Sequence, residues 1–309
     1  MELDARIFVG GHRGLVGSAI LRRLQELGHR NLLTQSRQEL DLLDQRAVEN
    51  WFARERPEYV FMAAAKVGGI AANAAAGGDF IRENLLIQTH TLDAAYRHEA
   101  KKFVFLGSSC VYPKMAKQPI HEEELLSGPL ELTNKPYAAA KIAGIVMAQA
   151  YRRQYGCNAI CLMPTNLYGP GDNFDLETSH VLPALMRKFH EAKMNGASEV
   201  VVWGSGRPHR EFLHVEDMAD ASVFLAKNYN SAEIINVGVG EDVTIRELAE
   251  LVASVVGFEG TLVFDSSRPD GTPRKLVDVS RLQGLGWSPR FSLREGVEST
   301  YSWYQSQLE

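Results

Sequence analysis

Cysteine is scarce in this sequence, and basic charge is outweighed. Three cysteines, an odd number without framework spacing, exclude a disulfide scaffold and point to a reducing compartment. Cys157 and Cys161 flank a strand-like run and read as core or near-core thiols. Against 38 Asp and Glu stand 33 Lys and Arg, so the formal net charge of −5 gives no field that draws nucleic acid or an anionic membrane. Any anionic ligand must be met by local cations. No window approaches the roughly 20 apolar residues of a membrane helix. The opening MELDARIFVGG enters a strand at once, without a charged-then-apolar secretory signal. Neither HExxH nor CxxC occurs, so no resident metal is expected. The cytoplasm is the expected address.

What is present is alternation. Residues 5–10, 31–35, 58–62, 102–107 and 158–163 read as strands, and 14–28, 44–56, 79–99 and 137–155 as helices. Short β-rich runs between helical stretches indicate right-handed βαβ units and a parallel sheet. Beyond about residue 172 the rhythm changes. Helices are expected at 181–194, 217–227, 244–256 and 293–307, with strands at 199–203, 233–237 and 261–264. The strand at 233–237 is placed to rejoin the large sheet. Turns rich in Gly, Pro and Arg fall at 205–210 and 269–273. The expected fold is α/β: a Rossmann-type doubly wound parallel sheet with a smaller C-terminal α/β lobe. Residues 1–172, rejoined by 215–240, would form the nucleotide domain, and 173–214 with 241–309 the substrate lobe.

The first strand runs into Gly11-His12-Arg13-Gly14-Leu15-Val16-Gly17. Glycine is needed where a backbone turns tightly, approaches a pyrophosphate and packs a helix on the sheet, while the helix N-terminus offers amides to phosphate. At the head of a βαβ unit this reads as a dinucleotide site. NAD enzymes place an acid at the end of the second strand to bind the ribose 2′-hydroxyl. Here the chain reads Thr34-Gln35-Ser36-Arg37, with no acid before Glu39. An arginine fork suits a 2′-phosphate that a carboxylate would repel, so Arg37, helped by Arg13, points to NADP(H). Asp41 and Leu42 follow, where the adenine is expected.

Tyr137 and Lys141 form YxxxK behind Pro136, a residue suited to the first turn of a helix. At i and i+4 the ammonium lies beside the phenol, whose ordinary pKa of about 10 a positive charge is expected to lower. Gly107-Ser108-Ser109-Cys110 ends the fourth strand, where a hydroxyl can polarise a carbonyl. Glycine turn, strand-end serine and downstream YxxxK, in that order, read as a dehydrogenase.

The runs GHRGLVGSAI, VGGIAAN, GSSCVYPK, PYAAAKIAG, PTNLYGP, SHVLPALMRKFHEA, VVWGSG and REFLHVEDMA resemble the GDP-L-fucose synthases over essentially the whole chain. These are extended short-chain dehydrogenase/reductases that act on nucleotide sugars. Cysteine two places after the serine, together with SHVLPAL, carries the specific part of the likeness. The resemblance implies a two-lobed homodimer that uses NADPH and a GDP-sugar and needs no metal. It implies Ser108, Tyr137 and Lys141 as the reductive triad, and Cys110 and His180 as the acid/base pair for epimerisation. Cofactor contacts are implied for Gly11 through Gly17, Arg37 through Leu42, Leu106 through Ser109, Lys141, His180, and Pro164, Thr165, Asn166 and Leu167. Lys188, Trp203, Arg210 and Asp270 match positions that hold the GDP-sugar. Arg187, Arg207, Arg268, Arg274 and Lys275 add charge that the sequence does not rank. One departure is Ala76-Gly77-Gly78, where relatives often carry proline or a bulkier residue.

Three other readings stay open at this stage. A 4,6-dehydratase would need an acid pair near the serine, which Ser108-Ser109-Cys110 lacks. A 4-epimerase would ordinarily hold NAD and show an acid after the second strand. A non-catalytic NADP-sensing protein could lose Ser108, Tyr137 and Lys141, yet all three are intact.

Overall fold

A computed structural model describes residues 1–308 except Arg268 and Pro269, and leaves aside the side chains of Ile70, Ala71 and Ala74. Strands and helices alternate in the first half: β1 (Ile7–Gly10), α1 (Leu15–Glu26), β2 (Leu32–Leu33), α2 (Gln45–Glu55), β3 (Tyr59–Met62), α3 (Ile70–Ala75), α4 (Gly77–Arg97), β4 (Lys102–Leu106), α5 (Lys135–Tyr155) and β5 (Ala159–Pro164). The second half is more broken. It runs β6 (Asn166–Tyr168), α6 (Val181–Met194), β7 (Glu199–Trp203), β8 (His209–Arg210), β9 (Phe212–His214), α7 (Val215–Asn228), β10 (Ile235–Val237), β11 (Val243–Thr244), α8 (Ile245–Val256), β12 (Thr261–Asp265), β13 (Arg274–Lys275), α9 (Ser280–Gly284) and α10 (Leu293–Ser306).

Six parallel strands form the large sheet in the order β10-β5-β4-β3-β1-β2. Every residue of β1, β4 and β5 is buried, the pattern of strands covered by helices on both faces. On one face Ile7 and Val9 pack with Ile20 and Leu24 of α1 and Met218 of α7. On the other, Phe8 meets Val48, Trp51 and Phe52 of α2 and Ile145 of α5. The strand at 233–237 does rejoin the sheet: Ile235 to Val237 pair with Leu162 to Pro164. Because β2 and β3 lie on opposite sides of β1, a crevice opens at the carboxyl ends of β1 and β3, where open α/β sheets bind ligands.

A third core lies apart from that sheet. Leu182, Met186 and Phe189 of α6 meet Val200 and Val202 of β7, Leu248 and Val252 of α8, and Val297 of α10. Reciprocal caps, Thr244 with Glu247 and Ser292 with Glu295, fix where α8 and α10 begin.

The boundaries differ from expectation in four places. The helix expected at 79–99 is α4, which starts at Gly77, and a further short helix, α3, precedes it. The second strand shrinks to Leu32–Leu33, paired on one side only. Helix α7 starts two residues early because the His214 side chain accepts from the Glu216 amide as its cap. The turn at 205–210 contains β8, paired with β11 and β13. Strands of two or three residues are too short to show a period in sequence.

Candidate active site

The glycine turn sits at the crevice. Gly11 has φ +81, and a Cβ there would lie 2.7 Å from the Ala64 amide nitrogen beyond β3. At Gly17 a Cβ would come 2.1 Å from the Gly11 carbonyl oxygen, so α1 packs this closely only with glycine. Gly14 is different. Its hypothetical Cβ meets only the Gly11 oxygen at 3.4 Å, and as N-cap of α1 it supplies no side-chain cap. The first amides of α1 are therefore left to an external anion, and a pyrophosphate fits this cradle. His12 Nδ1 is buried without a hydrogen-bond partner, a second polar group facing this turn unsatisfied.

Arg37 lies past β2 with its side chain 72% exposed and Nε 3.8 Å from Asp41 Oδ1, a loose pair that leaves the fork accessible. Glu39 accepts from the Ser36 amide at 2.7 Å. That hydrogen bond, and secondarily the nearby Arg13 and His12, hold its carboxyl below the ordinary range. The Leu42 carbonyl oxygen takes a contact from His90 Nδ1 at 3.1 Å, pinning the segment to α4.

Ser108, Cys110, Tyr137 and Lys141 meet at the carboxyl end of β4. Ser108 caps a single 3-10 turn, its Oγ accepting from the Cys110 amide at 3.1 Å. Lys141 is buried, donates to the Leu106 carbonyl at 2.8 Å, and lies 5.9 Å from the Tyr137 ring centre. Burial lowers its pKa to about 8. Tyr137 departs from expectation: its pKa is raised, by burial first and the neighbouring Cys110 second, with Ser108 pulling the other way. The physical reason is desolvation, which here outweighs any help from the ammonium. The phenol is thus a firm holder of its proton.

Cys110 behaves oppositely. Burial alone would raise its pKa, but Lys275, whose Nζ is 3.4 Å from Sγ, reverses that with help from Ser108 and Arg210, and the net shift is downward. Cys157 and Cys161 are core thiols, both raised by burial, Cys161 to about 12.

His180 is the N-cap residue of α6, its side chain makes no hydrogen bond among the described residues, and desolvation lowers its pKa. No hydrogen bond ties it to Cys110 among the described residues. Its loop is held against the third βα loop, where the Gly69 amide donates to the Thr178 carbonyl at 3.1 Å. Asn73 donates to the carbonyls of Gly68 and Gly69, fixing the other side of that contact. Pro164 to Leu167 sit between β10 and β9: the Thr165 amide donates to Val237, and Asn166 donates to the Glu211 carbonyl.

The four substrate candidates form a chain of neighbours. Lys188 Nζ stands 4.8 Å from the ring centre of Trp203. Asp270 accepts from the amide and hydroxyl of Ser205, two residues on. Arg210 has its pKa lowered by desolvation, opposed by Cys110 and Asp270. Among the unranked cations, Arg187 is committed to Glu191 and the Phe174 carbonyl, and Arg274 to Asp242. Arg207 is exposed near Asp270, and Arg268 lies outside the described residues. Lys275 is the one the sequence left unassigned and the structure puts at the site. Glu211 is the other: wholly buried, it accepts from the amides of Val239, Gly240 and Val277. Its place in REFLHVEDMA was the only signal.

Among the described residues no group of His, Cys, Asp or Glu is arranged to hold a metal, and no helix is long and apolar enough to cross a membrane.

A doubly wound sheet with a phosphate-ready glycine turn and a Ser-Tyr-Lys set defines a nicotinamide-dependent enzyme of the short-chain type. The chain belongs to the NAD dependent epimerase/dehydratase family, which it matches over residues 7–238. It is 63% identical over 303 residues to GDP-L-fucose synthase 1 of Arabidopsis thaliana, covering 98% of this chain and 94% of that one. A GDP-6-OMe-4-keto-L-xylo-heptose reductase from C. jejuni is 40% identical, with a TM-score of 0.95 and 99% of each chain covered. A GDP-L-fucose synthetase from Naegleria fowleri bound to NADP is 30% identical, with a TM-score of 0.92 over 100% of this chain and 96% of that one.

Proposed function

We propose that the protein is an NADPH-dependent epimerase-reductase that converts GDP-4-keto-6-deoxy-D-mannose to GDP-L-fucose. It inverts carbons 3 and 5 and reduces the ketone at carbon 4. The observation that carries this reading beyond the family is Cys110, a cation-supported thiol beside Tyr137 and Ser108. Plain carbonyl reduction has no use for a second base there. The curated names of the 63% relative and the NADP-bound neighbour support the same substrate and cofactor.

The 4-ketone acidifies the hydrogens on carbons 3 and 5. Cys110 as thiolate takes a proton, leaving an enolate, and His180 returns a proton to the opposite face; proton exchange with water resets both groups for the second carbon. The lowered pKa of His180 makes its protonated form a ready donor. Bound NADPH supplies the hydride that reduces carbon 4. Ser108 hydrogen-bonds the carbonyl, and Tyr137 gives its proton to the oxygen. The raised pKa of Tyr137 suits a donor, because the proton stays on the phenol until an alkoxide is there to take it. Lys141 holds nicotinamide ribose hydroxyls, and Arg37 takes the 2′-phosphate.

In this reading residues 1–172 with 215–240 bind the dinucleotide. Residues 173–214 with 241–309 bind the GDP-sugar, through Arg210 at the diphosphate, Trp203 at a nucleotide face, and Lys188 and Asp270. A homodimer through α4 and α5 fits the shallow apolar surface at Gly77, Gly78, Ile81, Pro136 and Ala139, and the 47% exposed Val146. Three free cysteines suit the cytoplasm.

Incubation with GDP-4-keto-6-deoxymannose and NADPH, followed by identification of the sugar, tests the reading. A product reduced at carbon 4 but unchanged at carbons 3 and 5 would make this a simple reductase, the activity named for the C. jejuni neighbour. Tyr137→Phe should bind both ligands yet oxidise NADPH at least about a hundredfold more slowly, the usual worth of a positioned acid. A loss under tenfold would remove Tyr137 from the proton-donor role.

A further inference from the structure

Lys275 reaches Cys110 from far along the chain, and the fold builds that meeting deliberately. Strand β13 runs parallel to β8, with Lys275 the partner of Arg210 in the ladder. On its other side the segment is laced to the loop that follows Cys110. The Leu276 amide donates to Gln118 Oε1 at 2.9 Å, and the Ile120 amide donates to the Leu276 carbonyl at 2.8 Å. The next residue, Val277, donates its amide to the buried Glu211 carboxylate at 3.0 Å. Three hydrogen bonds therefore fix the backbone just beyond Lys275, and the ladder with β8 holds Lys275 itself.

The charges around the thiol leave Lys275 as its partner. Facing Cys110 are Ser108 from the end of β4, Tyr137 from α5, Arg210 from β8 and Lys275 from β13. The small cavity beside Cys110 also touches Lys114, Glu131 and Arg274. Lys114 is paired with Glu131 at 2.8 Å, and Arg274 with Asp242 at 2.6 Å, so neither cation is available. Arg210 donates Nη1 to its neighbour's carbonyl, from His209, at 2.7 Å. The only hydrogen bond or ion pair of the Lys275 side chain among the described residues is the 3.4 Å contact to Cys110 Sγ.

We propose that Lys275 is a positioning residue for proton abstraction: its ammonium pairs with Cys110 and holds it as the thiolate before substrate arrives. A thiolate, not a thiol, is the base, and a cation at this distance favours the charged form. The tyrosine next to it is thereby kept neutral, since a second anion beside the thiolate is disfavoured. One side of the site is set to take protons and the other to give one. This deepens the role given above to Cys110 and rests on it.

The test is alkylation of the full-length protein by iodoacetamide across pH 6 to 10, without substrate, with the Cys110 peptide quantified by mass spectrometry. Lys275→Gln should raise the pH midpoint of Cys110 alkylation by about one unit, slowing the reaction about tenfold near neutrality. Lys275→Arg should largely restore the wild-type midpoint. Solvent deuterium incorporation at carbons 3 and 5 should follow the same profile, as a fall in kcat that high pH recovers. An unchanged alkylation midpoint in folded Lys275→Gln, with only a raised KM, would overturn the proposal and leave Lys275 as a substrate contact. Should Lys275→Gln fail to fold, Lys275→Met keeps the packing of the stem and gives the same reading. The base role of Cys110 is judged separately, by deuterium incorporation in Cys110→Ser. Exchange there at the wild-type rate would end that role without touching the alkylation result.

Discussion

In the proposed function, Arg37 is the residue that distinguishes two cofactors differing by one phosphate. Among the described residues its exposed fork is held only by a 3.8 Å contact to Asp41, so binding a 2′-phosphate requires breaking little. A hydrogen bond to a charged group contributes roughly 1.5–3 kcal/mol, which is on the order of 10–100-fold in affinity. Arg37→Ala should therefore weaken NADPH by that factor while leaving NADH nearly unchanged, measured by fluorescence titration of both. Equal weakening of the two would take the 2′-phosphate away from Arg37. The proposal for Arg37 comes from the sequence, because a single strand end carries it. The tuning of Tyr137 does not. YxxxK spacing placed Lys141 beside the ring, but the sign of the phenol's shift depends on how much water the folded site excludes.

At the scale of elements, the β1–α1 turn separates two uses of glycine that the motif shows as equal. Gly17 is needed by the protein itself, since any Cβ would press on the Gly11 carbonyl at 2.1 Å. Gly14 has open surroundings and borders the first amides of α1, so in the proposed function it is the ligand that needs it. Gly17→Ala should lower the melting temperature and abolish cofactor binding together. Gly14→Ala should keep the melting temperature within a few degrees and still weaken NADPH at least about tenfold, because its methyl occupies the phosphate approach. Calorimetry with and without NADPH distinguishes the two. A destabilised Gly14→Ala would show that the turn needs both glycines for folding.

Across the whole molecule, His214 at the end of β9 packs between β6 and the segment that leads into α10. It is buried between Tyr168 and Phe291, with Nε2 lacking a partner. Burial, assisted by Arg290 and Arg22, lowers its pKa to about 4. A folded pKa below the unfolded value means full stability above the ordinary histidine range. That stability is lost as pH falls from about 6.5 to about 4, up to about 3 kcal/mol in total. Asp172 works against it. Its carboxyl, raised by burial to about 7, contributes most at low pH and loses its contribution as pH rises from about 4 to about 7. His214→Asn preserves a residue able to cap α7 and removes only the acid-side loss. The variant's melting temperature should therefore fall less between pH 7 and pH 4.5 than the wild type's. Parallel curves would show that His214 is not the group destabilised by acid.

The sequence by itself determined the parallel sheet, the glycine turn, the missing acid after β2 and the Ser-Tyr-Lys order. Each of these is written in a short window, where spacing along one strand or helix equals position in space. It also put a strand at 233–237 that could rejoin the large sheet, and the structure seats Ile235 to Val237 beside β5. Only the tertiary structure decided which cations matter. Arg187 and Arg274 are spent on neighbouring carboxylates, while Lys275, equally anonymous in the chain, reaches the thiol. It likewise revealed Glu211 as the tie between the 239–240 turn and the strand beyond Lys275. Such roles depend on which distant segments pack together and how dry their meeting point is. Pairings of two residues, made across more than a hundred positions, leave no periodic trace for the sequence to show.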